Sequence, residues 1–173
     1  MGIKVIEEDY QIIRLGEGLA GTGFISENAI QRCMIGFKKI KSKLNQYGVS
    51  YIKCVATSAL RDAQNGTDII DLIESKFNIP IHIISGIEEA KLVISATVNE
   101  FQLDFGTTIV FDIGGGSTEF IFIENQKVSE IKSLKIGAVR CTEAFFKSDP
   151  VRAIEIENYE NYIQNMLNQL HTP

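Results

Sequence analysis

Residues 111–120, Phe111-Asp112-Ile113-Gly114-Gly115-Gly116-Ser117-Thr118-Glu119-Phe120, decide the reading of this 173-residue chain. Thr108-Ile109-Val110 leads in and Phe120-Ile121-Phe122-Ile123 leads out, so the pattern is strand, glycine turn, strand. Three successive glycines let the backbone approach a ligand closely and open dihedrals closed to other residues. The N–H groups of Gly114, Gly115 and Gly116, with the hydroxyls of Ser117 and Thr118, form a cradle suited to phosphate. Asp112 and Glu119 frame the turn, placed to hold a hard cation beside that anion. A plain glycine-rich hairpin is the alternative, though such turns seldom need three glycines between two acids.

Downstream of this turn, strands are expected at 107–112, 118–124 and 127–134, followed by helices at about 138–147 and 152–170. Ile156, Tyr159, Ile163, Met166, Leu167 and Leu170 give the last helix its apolar stripe. Upstream, a short strand from Ile3 to Ile6 opens the chain. Gly16 to Gly21 matches G-x-G-x-x-G, but no helix opens directly after it and no acid follows at ~20 residues, so it reads as a mobile loop. Ser26 caps a helix running to about Tyr47, with Ala29, Ile30, Cys33, Met34, Phe37, Ile40 and Leu44 on one face. Lys38, Lys39, Lys41 and Lys43 form its solvated face. Tyr51 to Ala56 reads as a strand, Asp68 to Phe77 as a helix, Ile81 to Ile84 as a strand, and Glu88 to about Phe101 as a helix. This alternation predicts an α/β protein with a parallel or mixed sheet covered by helices. The change to consecutive strands near Asp104 to Gly106 divides the chain into portions 1–106 and 107–173.

Two further segments at strand ends carry chemistry. In Ser85-Gly86-Ile87-Glu88-Glu89-Ala90, Ser85 and Glu88 fit a capping box, which leaves Glu89 without that structural task. A carboxylate at such a strand-to-helix junction can orient and deprotonate a water, or it can simply complement the helix dipole. In Ala56-Thr57-Ser58-Ala59-Leu60-Arg61-Asp62-Ala63, Arg61 offers a forked cation suited to phosphate. The alternative there is a helix start with Arg61 paired to an acid. His82 and His171 lack ligand-spaced partners and read as structural or exposed.

Composition narrows the class. Hydrophobic residues make up 45% and charged residues 23%, ordinary for a globular protein, and the net charge of −5 argues against nucleic acid or anionic membrane as partners. Cys33, Cys54 and Cys141 are odd in number and widely spaced, reading as reduced core thiols rather than disulfides or a zinc site. No apolar run approaches the ~18 residues of a membrane span. A soluble, cytoplasmic protein is expected.

Together the segments "RLGEGL" (14–19), "ATSALRDA" (56–63), "ISGIEEAKL" (84–92), "DIGGGSTE" (112–119) and "SLKIGAVRCTE" (133–143) resemble the exopolyphosphatase and guanosine pentaphosphate phosphohydrolase (Ppx/GppA) family. That family belongs to the actin, Hsp70 and sugar-kinase superfold, with its ribonuclease H-like sheets. The resemblance implies magnesium-assisted hydrolysis of terminal phosphoanhydride bonds in inorganic polyphosphate or in guanosine pentaphosphate (pppGpp). It implies Glu89 as the catalytic glutamate that activates water. It implies Asp112 and Glu119 as catalytic and metal-site acids, Gly114 to Thr118 as the second phosphate loop, and Arg61 as a substrate contact. Such a kit suits phosphoryl transfer, which depends mostly on positioning and charge neutralisation.

The chain departs from the family pattern at both ends. Nothing matches the first phosphate loop of the D-x-G-S-N-S type, and the sequence stops before the later G-x-S-G-T type loop. The expectation is most of a first domain without its opening hairpin (1–106) and the beginning of a second (107–173). An open sheet edge then predicts self-association, a homodimer being one form, or poor solubility. The competing function is a fragment that binds phosphate or nucleotide without turnover. A kinase-like member of the superfold is disfavoured by the acid in "ISGIEEA".

Overall fold

In a computed structural model that describes residues 4–100 and 106–170, the chain builds two sheets and seven helices among those residues. In chain order these are α1 (Leu19–Thr22), α2 (Glu27–Gln46), β1 (Cys54–Ala56), α3 (Ser58–Asp62), α4 (Gly66–Phe77), β2 (Ile81–Ile83) and α5 (Gly86–Glu100). Then follow β3 (Thr107–Ile113), β4 (Thr118–Glu124), β5 (Lys127–Leu134), α6 (Ala138–Phe145) and α7 (Ala153–Leu167).

The first sheet is the parallel pair β1–β2, with Cys54 opposite Ile81 and Ala56 opposite Ile83. Parallel neighbours need a crossover, here made by α3 and α4. Ala29 and Cys33 of α2, Ile69, Ile70, Ile73 and Phe77 of α4, and Ile79 and Ile81 close the core around that pair. Ser26 caps α2 as its sequence predicts, accepting from the Ala29 N–H at 3.3 Å. The apolar stripe of α2 faces inward except at Ile40, which is exposed. Burial pushes the Cys33 thiol up to about 11, so it packs as a neutral apolar group. His82 is exposed on β2, and His171 lies outside the described residues.

Three expectations fail in this portion. Residues 4–6 of the predicted opening strand form no strand, and Ile3 lies outside the described residues. A strand needs a neighbour for its N–H and C=O groups, and no neighbour among the described residues pairs with this segment. The chain instead runs along α2, pinned where Lys43 meets Glu7 and Asp9 and where Arg32 Nε donates to Ile13 O at 2.8 Å. Nor is the stretch around Gly16 to Gly21 a free loop. Gly18 adopts φ 74 and opens the single turn α1, and its N–H donates to Glu143 Oε1 at 2.8 Å. The strand expected from Tyr51 begins only at Cys54.

The second sheet is antiparallel, in the order β3-β4-β5. A two-residue turn with Asn125 and Gln126 both at positive φ joins β4 to β5, the geometry that matches strand twist. The period of two sorts the side chains by face. Val110, Ile121, Ile123 and Ile131 pack with Ala90, Val93 and Ile94 of α5. Phe120, Leu134 and Ile136 pack against Phe145 of α6 and Tyr159, Tyr162 and Ile163 of α7. Helix α5, placed with the first portion by its sequence position, thus covers the second sheet. Of the boundary expected near Asp104 to Gly106, only Gly106 falls among the described residues.

Glu155 lies in the first turn of α7 and is 5% exposed. Its carboxylate accepts from the Arg152 N–H at 2.9 Å, the Lys147 N–H at 3.0 Å and the Ser148 hydroxyl. These donors, that of Ser148 foremost, hold its pKa down to about 2. A depressed carboxylate pKa adds stability above the ordinary 4.5 and loses it as the pH falls toward 2. The Glu155→Gln variant is therefore expected to melt below the wild type at neutral pH. The gap in melting temperature should close as the solution is acidified; a gap independent of pH would contradict this role.

Among the described residues no helix is long and apolar enough to cross a membrane.

Candidate active site

The alternation along β3 and β4 places Asp112 and Glu119 directly opposite each other, on the face that carries Val110 and Ile121. Directly opposed residues share a face with Cβ atoms ~5 Å apart. Their face is the one covered by α5, whose first turn carries Glu89. The capping box predicted for that turn is present: the Glu88 N–H donates to Ser85 Oγ at 3.2 Å, and the Ser85 N–H donates to Glu88 Oε2 at 2.8 Å. Glu88 is thereby consumed by the helix start, and Glu89 is left without that structural task.

Glu89 is held by Arg61, whose Nη1 lies 3.3 Å from Glu89 Oε2 and donates to Ile84 O at 2.8 Å. Of the two expectations for Arg61, this geometry shows the helix start with its cation paired to an acid. The two side chains are only 24% and 17% exposed. Burial pushes the Glu89 carboxyl above its ordinary value, and the nearby Glu119 charge adds to the rise; Arg61 and the Thr57 hydroxyl oppose it.

Glu119 is fully buried. Its Oε1 accepts from the Ser133 hydroxyl at 2.7 Å, while Oε2 has no hydrogen-bond partner among the described residues. An orphaned buried carboxylate oxygen is costly unless something fills the place. A further atom on Gly86 would press into Ser133, with Cβ at 2.5 Å, so this glycine permits the approach of α5 to the Ser133–Glu119 pair. Among the described residues no group of three or more His, Cys, Asp and Glu side chains forms a ready-made metal cage. A cation that takes one or two carboxylates together with substrate phosphates needs no such cage, and the pair Asp112 and Glu119 fits that donor set.

The glycine turn differs from its expectation in one respect. None of Gly114, Gly115 or Gly116 has positive φ, so the glycines are not required for unusual dihedrals. Contact is the reason at Gly116 and, less severely, at Gly114, whereas a Cβ on Gly115 would meet only Val139 at an ordinary 3.5 Å. A Cβ on Gly116 would overlap the Ser58 hydroxyl, and one on Gly137 would overlap backbone atoms of Gly115 and Gly116. Gly114 N–H donates to Ser117 O at 2.9 Å, which closes the turn. Ser117 and Thr118 are buried, and the Thr118 hydroxyl donates to Ile136 O at 3.1 Å. The Gly115 and Gly116 N–H groups meet no acceptor among the described residues. These two glycines line a cavity of about 210 Å³ together with Arg14, Thr57, Ser58 and Arg140. A larger cavity of about 420 Å³ lies on the other sheet face, among Phe111, Phe120, Tyr159 and Ile163; neither cavity is lined by Glu89, Asp112 or Glu119.

Sequence reasoning missed Ser133, Gly137 and Arg140 as site residues. All three lie in the segment 133–143, whose pattern stands out in the sequence but whose contacts are made with residues distant along the chain.

Fold and site define a mixed α/β protein in which two acids, a third acid held by a forked cation, and a glycine turn converge from separate elements. The whole chain, residues 1–173, matches the Ppx/GppA phosphatase family, and it belongs to that family. It is 38% identical over 158 residues to a bifunctional 3-dehydroquinate synthase/phosphatase of Fusobacterium nucleatum, covering 90% of this chain and 24% of that protein. It is 29% identical over 167 residues to exopolyphosphatase 2 of Mycobacterium tuberculosis, covering 94% of this chain and 52% of that one. Among solved structures, an exopolyphosphatase from Cytophaga hutchinsonii superposes with a TM-score of 0.85 at 31% identity, covering 91% of this chain and 51% of the other. The chain thus has the mixed α/β architecture of the family, and spans about half the length of the exopolyphosphatases it matches.

Proposed function

We propose that this chain supplies the phosphate-holding and water-activating groups of a cytoplasmic hydrolase that removes terminal phosphate from inorganic polyphosphate, pppGpp or both. The observation that carries this reading is the meeting of Glu89, Arg61 and Glu119 at one place, reached from α5, α3 and β4. Portions 1–106 and 107–173 are read as two domains of the superfold, with the site where they meet. The relatives' exopolyphosphatase name supports polyphosphate as substrate, and pppGpp presents the same terminal phosphoanhydride chemistry. Reduced Cys33, Cys54 and Cys141 suit the cytoplasm.

In this reading the Glu89 carboxylate accepts the proton of the attacking water, and Arg61 fixes its orientation. The N–H groups of Gly115 and Gly116 hold phosphate oxygens. Asp112 and Glu119 would hold Mg2+, which when bound neutralises phosphate charge. Phosphate release from long-chain polyphosphate and from pppGpp, each followed against magnesium concentration, tests the assignment. Magnesium-dependent release from either supports it and names the substrate. Binding of both without release would favour the second reading, a phosphate- or nucleotide-binding fragment, which the half-length match to the relatives motivates.

The Glu89 environment sets a pH dependence. A base works only when ionised, so the rate should fall as the pH drops through the Glu89 pKa. Burial and Glu119 put that limb above the ordinary 4.5, and Arg61 restrains the rise. Arg61→Met is expected to move the acid limb of kcat to higher pH, beside any change in KM. A limb that stays or moves down would argue against Glu89 as the titrating base.

A further inference from the structure

The carbonyls of the glycine turn are all taken from one side. Gly114 O accepts from the Ala138 N–H at 2.9 Å, Gly115 O from the Arg140 N–H at 3.0 Å, and Gly116 O from Arg140 Nε at 2.8 Å. A trans peptide is planar, with each C=O and the following N–H on opposite edges. Drawing these carbonyls toward the start of α6 therefore turns the N–H groups of Gly115, Gly116 and Ser117 the other way. Two of the three bonds come from the main chain of α6. The third depends on one side chain, Arg140.

The other arm of that side chain is also committed. Arg140 Nη2 donates to Asp62 Oδ2 at 2.6 Å, and Lys135 Nζ lies 3.6 Å from Asp62 Oδ1. Arg140 and Asp62 are 22% and 17% exposed, so water screens their pair only partly. Asp62 ends α3, the helix on which the preceding residue, Arg61, holds Glu89. Ser58 at the other end of α3 lies so close to Gly116 that a Cβ there would overlap its hydroxyl.

We propose that Arg140 is a positioning residue: braced by Asp62, it fixes the Gly116–Ser117 peptide and sets the glycine turn in register with the helix that carries Arg61. A guanidinium can do this because its planar fork donates to a carbonyl and a carboxylate at once. A lysine ammonium keeps the charge without that fixed geometry. The inference rests on the phosphate-cradle reading above. Arg140 also lines the 210 Å³ cavity, so direct contact with a phosphate is the competing role.

The test is a titration of the 15N-labelled chain with tripolyphosphate, read at the Gly115, Gly116 and Ser117 amides. These resonances are expected to shift in the wild type. Arg140→Lys and Asp62→Asn should each weaken binding about tenfold, the scale of one lost charge-assisted hydrogen bond. Each should also displace the Gly116 and Ser117 resonances before any ligand is added, and the double variant should bind no worse than either single one. If Arg140 merely touches phosphate, Arg140→Lys retains most of the affinity. Asp62→Asn then leaves the ligand-free resonances unmoved, and the proposal is overturned. A wild type whose glycine amides ignore tripolyphosphate would remove the cradle itself, an outcome distinct from a responding wild type with indifferent variants.

Discussion

Glu89→Gln is expected to reduce phosphate release by ~10²–10⁴-fold, the range for a positioned general base, or about 3–5 kcal/mol of barrier. Glutamine keeps the shape of the side chain and an oxygen for the Arg61 guanidinium, 3.3 Å from the carboxylate it replaces. It cannot take the proton of water. Affinity for an anionic substrate should hold or improve, because a negative charge leaves the cleft. Stability should not fall either. Burial raises the Glu89 pKa on folding, so its contribution is favourable at low pH and is lost as the carboxyl ionises on the way to neutrality. A catalytic defect with intact binding and an unchanged or higher melting temperature is the expected signature. Release within a few fold of the wild type would remove Glu89 from the chemistry.

The second large effect belongs to a residue with no chemistry of its own. Gly137 backs directly onto the glycine turn, and a Cβ there would overlap the Gly115 carbonyl carbon and the Gly116 backbone. Backbone cannot step aside as the tip of a flexible side chain can. Gly137→Ala is expected to cost ~1–3 kcal/mol, as overpacking of a close contact does. It should also push the turn off the Ala138 and Arg140 donors and abolish tripolyphosphate binding. Gly21→Ala is the control: a Cβ there meets nothing within 4 Å, and the residue lies inside α1. Urea midpoints and tripolyphosphate titrations of the two variants should diverge accordingly. Equal behaviour would mean that the turn tolerates displacement.

The elements that sequence patterns define by themselves were legible. The stripe of α2 and its Ser26 cap follow from a period near 3.6, the hairpin strands from a period of two, and the capping box from Ser85 and Glu88. The box matters most, since it accounts for Glu88 and singles out Glu89. What was not legible depends on contacts between distant residues. Residues 4–6 have a strand-like composition, but a strand exists only with a partner, and none among the described residues pairs with them. Arg140 meets Asp62 across 78 positions and bonds a main-chain carbonyl, which leaves no local sequence signature. Glu155 looks like an ordinary surface acid in an amphipathic helix, yet the 147–152 loop folds over it and its hydrogen bonds hold it ionised. The glycine turn is conspicuous in the sequence for a different physical reason from the one the structure gives: none of its glycines has positive φ, and Gly116 and Gly114 serve close packing.

In the proposed reaction, water activated by Glu89 attacks the terminal phosphorus beside Arg61 and Glu119. Hydrolysis of polyphosphate in 18O-labelled water, with wild type and Glu89→Gln side by side, tests it most directly. Each phosphate released by the wild type should carry one labelled oxygen, with almost no labelled phosphate from the variant. Label retained in the shortened chain, or equal labelled release by both proteins, would contradict it.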